Sequence, residues 1–187
     1  MCKLKTNNFL INVEINKYLE SIIQNKLFAN GYIFYGAEGV GKKETALNFI
    51  KQIFKQYSSN GNVEEKINNK NHPDFLMIEA SSFIKGKKAK SVDSQKPIIN
   101  NMDIIKIEQI RNVKNFLNQK SIESEKKIVL IVDAHLLNEA ASNCLLKTLE
   151  EPSNGIIILL TSKFNLLLDT ITSRCQLIRF KSFSSKK

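Results

Sequence analysis

The chain has 187 residues, 42% of them hydrophobic, and a formal net charge of +10. That length supports one domain with a substantial core, burying roughly 70% of its unfolded surface, and would crowd two full domains. Cys2, Cys144 and Cys175 are scattered, with no Cys-x-x-Cys pair and no neighbouring histidine, so neither a disulfide framework nor a zinc site is signalled and a reducing cytoplasm is the expectation.

Residues 1–8 are not followed by the uninterrupted apolar stretch of a signal peptide. No run approaches the roughly 20 residues needed to span a bilayer, so the chain is expected to be soluble, unprocessed and free of membrane contact. The positive charge invites a nucleic-acid reading through counterion release. Only Arg111, Arg174 and Arg179 are arginines, however, and the lysines are spread among asparagine and isoleucine. That pattern reads as solvated faces, with nonspecific attraction to polyanions rather than a dedicated DNA surface.

Val13, Ile15, Leu19, Ile22 and Ile23 recur at helical spacing and predict a short amphipathic helix packed on a sheet edge. Tyr32-Ile33-Phe34-Tyr35 predicts the first strand, and Ala46, Ile50, Ile53, Phe54 and Tyr57 mark one side of the following helix. Residues 58–62 form an expected turn, and His72-Pro73-Asp74 punctuates entry into a second strand, Phe75-Leu76-Met77-Ile78. His72, beside proline, reads as a turn residue. From Ser81 to Asn101 polar and basic residues dominate, including Lys85-Gly86-Lys87-Lys88-Ala89-Lys90, and predict a mobile solvated loop in preference to a basic clamp on DNA.

Ile107, Ile110, Val113 and Leu117 describe one face of a helix, with Arg111 off that stripe and exposed. Ile128-Val129-Leu130-Ile131-Val132 is an unbroken apolar run ending on Asp133, as parallel strands covered on both faces require. Asn138 is the expected N-cap of a helix through Leu149, closed by Glu150-Glu151-Pro152. A strand from Ile156 to Leu160 ends at Thr161-Ser162, and a helix-like segment and a last strand, Gln176 to Phe180, follow. Strands separated by helices predict an α/β three-layer sandwich around a mainly parallel five-stranded sheet, with ligands at the carboxyl ends of the strands.

Between the first strand and its helix lies Gly36-Ala37-Glu38-Gly39-Val40-Gly41-Lys42. Strand, glycine-rich loop and helix together form a phosphate cradle: converging backbone N–H groups, a positive helix end and the Lys42 charge meet one oxyanion. Gly36, Gly39, Val40, Gly41 and Lys42 are the candidate contacts; a ligand-free glycine-rich turn is the plainer reading of the same stretch. The phosphate-loop spacing fits until its last position, where Lys43 replaces the hydroxyl that binds magnesium. Thr45 cannot substitute, since two residues along a helix is a turn of about 200°. Asp133 stands where hydrolysing relatives of such loops hold magnesium, but Ala134 follows it in place of a water-activating glutamate. His135, two residues on, would return to the strand's own side only if the strand continued, and is not expected to serve as a substitute base. Loss of a metal ligand and a base together predicts a rate lower by several powers of ten.

Residues 30–42, Ile107-Glu108-Gln109-Ile110-Arg111, Val132-Asp133-Ala134-His135, the stretch from Asn138 to Leu149-Glu150-Glu151-Pro152, and Ser173-Arg174-Cys175 resemble the delta-prime subunits of bacterial DNA polymerase III clamp loaders. The resemblance covers nearly the whole chain. It implies an AAA+ domain, residues 1–181 with 79–101 as a basic insertion and 182–187 as a polar tail, in a ring that loads the sliding clamp on primed DNA. Its implied partners are gamma/tau-like and delta-like subunits, the clamp and DNA; its implied ligand is ATP. By resemblance, Arg174 is an arginine finger offered to a neighbouring subunit, and Thr161 stands where relatives keep a polar sensor of the terminal phosphate. A guanidinium there, in a chain built on lysine, suits a need for forked planar donors, the alternative being a plain surface cation. The four-cysteine zinc module of many relatives is absent, so no metal is expected. The lid and collar domains that usually follow are also absent, which reads as a fragment or a shortened subunit. The expected activity is that of a non-hydrolysing clamp-loader subunit. Its alternatives are a competent ATPase of the clamp-loader motor type, against which Lys43 and Ala134 argue, and a free-standing basic DNA-binding module.

Overall fold

The computed structural model describes residues 13–57, 62–80, 104–151 and 155–181. The expected turn at 58–61, the basic stretch 81–101, Pro152 and the 182–187 tail lie outside the described residues. In chain order the elements are α1 (Val13–Asn25), β1 (Gly31–Tyr35), α2 (Lys42–Tyr57), α3 (Val63–Asn68), β2 (Phe75–Ile78), α4 (Ile107–Asn118), β3 (Lys127–Ile131), α5 (Glu139–Glu150), β4 (Gly155–Thr161), α6 (Asp169–Thr172) and β5 (Gln176–Arg179). Single turns of 3-10 helix occupy Ala134–Leu136 and Phe164–Leu166. Among the described residues no helix is long and apolar enough to cross a membrane.

The five strands lie in the order β2-β3-β4-β1-β5, and every pairing is parallel. β3 and β4, at the centre, are buried at every position. Their side chains alternate between two cores, which is why the sequence reads as unbroken apolar runs rather than alternation. Tyr32, Phe34, Ile128, Leu130, Ile156 and Ile158 face a core roofed by α1, α2 and α3. Ile33, Val129, Ile131, Ile157 and Leu159 face the opposite core, against Ile110, Val113 and Leu145 of α4 and α5. The three-layer sandwich expected from the sequence is therefore the fold.

Two local features lie beside these layers. α1 buries Leu19, Ile22 and Ile23 in the core it shares with α2 and the sheet, and its Tyr18 hydroxyl meets the Gln176 side chain at the start of the edge strand β5. α3, a short helix absent from the sequence reading, is pinned by Val63 and Ile67, four apart and both buried. The cap of α5 is as expected: the Asn138 side chain accepts the Ala141 N–H at 2.8 Å.

The amino ends of β2 and β3 carry a buried polar cluster. Asp74, 0% exposed, accepts the N–H groups of Ile122, Glu123 and Ser124 at 2.9, 2.7 and 2.9 Å, and stands 3.5 Å from the buried Lys127 ammonium. Lys127 also lies over the Phe116 ring, 4.1 Å from its centre. His72 sits in the expected turn, yet is buried and stacked on Phe54 at 4.1 Å. Its Nδ1 accepts the Asp74 N–H at 3.2 Å, so the neutral ring carries its proton on Nε2, which has no hydrogen-bond partner among the described residues and is 3.8 Å from a Glu123 oxygen.

Candidate functional site

The loop from Gly36 to Gly41 joins the carboxyl end of β1 to α2. Its root is clamped between neighbouring strands: Gly36 N–H donates to the Thr161 carbonyl at 3.3 Å, and Phe180 N–H donates to the Tyr35 carbonyl at 2.7 Å. Gly36 has φ 150°, and a Cβ there would stand 2.3 Å from the Phe180 carbonyl oxygen. Gly39 and Gly41 have φ 74° and 88°, left-handed values that side chains rarely adopt and that let the loop curl tightly.

Lys42 opens the helix and folds back over the loop, donating to the carbonyls of Gly36 at 2.8 Å and Ala37 at 2.6 Å. Partial burial lowers its pKa, against the opposing pull of Asp133 and Glu38. Beside it lies a cavity of about 260 Å³ lined by Gly39, Gly41, Lys42, Lys43, Asp133 and Ser162, with Glu38 and Glu44 at its wall. A second cavity, of about 490 Å³, flanks the loop between the ends of β1 and β5 and includes Gly36, Ala37, Ser162 and Arg179. Glu38 was not singled out from the sequence; its carboxylate is 3.5 Å from the Ser162 hydroxyl. The available signal was an acidic residue inside a loop shaped for anions.

Lys43 points to the carboxyl end of β2, where its ammonium lies 2.9 Å from Glu79, a carboxylate also held by Lys70 at 2.7 Å. Thr45 belongs to the buried stripe of α2, so it cannot supply the missing hydroxyl, as the helical angle predicted. The cradle fits a phosphate chain through Lys42 and the glycine backbone. It does not fit magnesium held by a loop hydroxyl, because an ammonium occupies that motif position.

Asp133 lies two residues past the end of β3, exposed, in a left-handed turn with φ 52°. Ala134 is 1% exposed and offers no base. His135 lies in the turn that follows β3 and is not among the residues lining the cavity. The chain leaves β3 into a 3-10 turn, so strand alternation no longer governs its direction, and Nδ1 comes within 3.3 Å of the Thr161 hydroxyl. Burial lowers the His135 pKa; Asp133 works against that, while Lys163 adds to it. Thr161 itself is fully buried, and its hydroxyl accepts the Lys163 N–H at 3.1 Å. The adjacent Ser162, rather than Thr161, faces the cavity.

Arg174 is separate from this group. It precedes β5, which runs parallel to β1 from Gln176, so it lies at the amino end of the sheet while the phosphate loop lies at the carboxyl end. Its guanidinium is 40% exposed, 2.8 Å from Glu150 at the end of α5 and 2.9 Å from the Thr170 carbonyl.

Comparisons with known proteins agree with this architecture. The chain is similar to DNA polymerase III subunit delta-prime of Bacillus subtilis, 29% identical over 92% of this chain and 48% of the relative. It is 30% identical to the Pseudomonas aeruginosa delta-prime subunit over 79% of this chain and 42% of that protein. The chain thus spans about half the length of the curated relatives it matches. A DNA polymerase III gamma subunit-related protein of Thermotoga maritima shares the fold with a TM-score of 0.59 at 23% identity, over 89% of this chain and 46% of that one. The RuvB Holliday junction branch migration motor of Thermotoga maritima superposes with a TM-score of 0.51 at 13% identity, over 94% of this chain and 47% of that one. These neighbours share the three-layer fold around a parallel sheet. The family model described as DNA polymerase III, delta subunit, matches residues 11–184, so this chain belongs to that family, among proteins of the delta-prime kind.

Proposed function

We propose that the chain is a non-hydrolysing, delta-prime-like clamp-loader subunit of DNA polymerase III that lends Arg174 to the nucleotide of an adjacent subunit. The observation that carries this reading is the separation of two half-sites. The chain keeps a phosphate cradle at one end of its sheet, with Lys43 and Ala134 where metal and water chemistry need other groups. At the opposite end it presents an exposed guanidinium that cannot reach its own cradle. An arginine so placed can serve only a phosphate brought by another molecule, where forked donors stabilise charge on the transferring group.

In this reading Gly36, Gly39, Val40, Gly41 and Lys42 hold the phosphates of ATP, with Asp133 setting the local charge and Thr161 acting behind the surface through His135. Partners are gamma/tau-like and delta-like subunits, and through them the sliding clamp and primed DNA. The test is ATP turnover by a loader reconstituted with Arg174→Ala. Turnover falls by about 10³-fold if a full arginine finger is lost, while the variant chain keeps its fold because Arg174 is exposed. Unchanged turnover removes the finger role. Steady hydrolysis by the purified wild-type chain instead favours the motor-type ATPase.

A further inference from the structure

We propose that Lys43 takes the place of the divalent cation at the cradle, so that the polyphosphate chain of a nucleoside triphosphate binds there without metal. This rests on the reading of the loop as a phosphate cradle. Three observations carry it. Lys43 occupies the motif position whose hydroxyl would otherwise hold magnesium, and it lines the cavity beside Gly39, Gly41 and Lys42. Its ammonium is docked on Glu79, outside the loop, through an ion pair whose partners are 46% and 40% exposed. Glu79 keeps Lys70 at 2.7 Å when Lys43 leaves, so release strands no carboxylate.

The local charge favours a second cation. Glu38, Glu44 and Asp133 line the same cavity, so Lys42 alone leaves it negative towards an incoming phosphate chain. Magnesium would normally offset that charge. Here a lysine, with three donors on a flexible stem, can swing from Glu79 onto the phosphate oxygens; an exposed ion pair resists that motion little. A divalent ion arriving with the nucleotide would meet an ammonium where it needs an oxygen ligand.

The experiment is calorimetric titration of the full chain with ATP, in EDTA and in excess magnesium. The expected dissociation constants agree within about threefold, and Lys43→Ser, which restores the hydroxyl, binds at least about tenfold more weakly in EDTA and recovers with magnesium. Wild-type binding that tightens about tenfold or more with magnesium overturns the proposal, as does a Lys43→Ser variant with unchanged affinity in EDTA. Failure of the cradle reading looks different: neither wild type nor Lys43→Ser binds ATP in either condition, and the proposal falls with it. Circular dichroism of Lys43→Ser confirms that its fold is intact.

Discussion

The two ends of the sheet carry charged groups arranged on opposite principles. At the amino end, Asp74, Lys127 and His72 are buried, and the Asp74 carboxylate is saturated by backbone N–H groups and an ammonium. At the carboxyl end, Lys43, Glu79 and Lys70 are half exposed and share partners. A saturated buried group stays in place because the alternative is an unpaired charge in a low dielectric. A shared exposed pair holds its members loosely, since water competes for each of them. The first arrangement fixes a loop; the second holds Lys43 by an exposed contact beside the glycine-rich loop.

The sharpest way to break this contrast is at Asp74. Asp74→Ala leaves three N–H groups without their acceptor and Lys127 buried without a counter-charge, and should cost about 3–5 kcal/mol in chemical denaturation. Asp74→Asn keeps an acceptor and should cost less. A loss below about 1 kcal/mol for Asp74→Ala would mean that the amino-end cluster is no more structural than a surface pair.

A middle-sized effect is expected from pH. Burial lowers the His72 pKa despite the nearby Glu123 and Asp74 carboxylates. The unfolded chain therefore takes up this proton first, and stability falls as pH drops below the ordinary histidine value of about 6.5 towards the folded value. For Asp74, burial alone would raise the pKa, but the N–H groups of Glu123, Ile122 and Ser124, with Lys127, outweigh it and hold the pKa low. Its contribution is present above the ordinary aspartate value of about 3.9 and is lost as pH falls further. Denaturation between about pH 7 and pH 3 should show these two windows in that order, and His72→Gln should shrink the upper one. His135, the other of the chain's two histidines, has a pKa lowered in the same direction and carries what remains of it. An upper window of undiminished size in His72→Gln would assign it wholly to His135.

The smallest effect belongs to the carboxyl end. Glu79→Ala should change stability by less than about 1 kcal/mol, because both its lysines return to water. A cost matching that of Asp74→Ala would erase the distinction between the two ends.

Much of the fold was legible because its signals are local. The apolar runs of β1, β3 and β4, the glycine spacing from Gly36 to Gly41 and the Asn138 cap each lie within a few consecutive residues. The buried stripe of α4 and the exposure of Arg111 followed from helical spacing in the same way. α3 was missed because its apolar pair, Val63 and Ile67, is too short a pattern to stand out among charged residues.

The sequence by itself determined the order of strands and helices, the glycine spacing between β1 and α2 and the presence of Lys43 and Ala134 where they stand, since composition and periodicity along the chain encode which faces are buried. Only the tertiary structure decided which charges are partners: Glu79 for Lys43, Glu150 for Arg174, and the 122–124 backbone for Asp74. It also brought His135 beside Thr161, across a turn that no alternation rule describes. Those pairings join residues 24 to 50 positions apart or turn on one backbone angle, and neither is written in the spacing of neighbours.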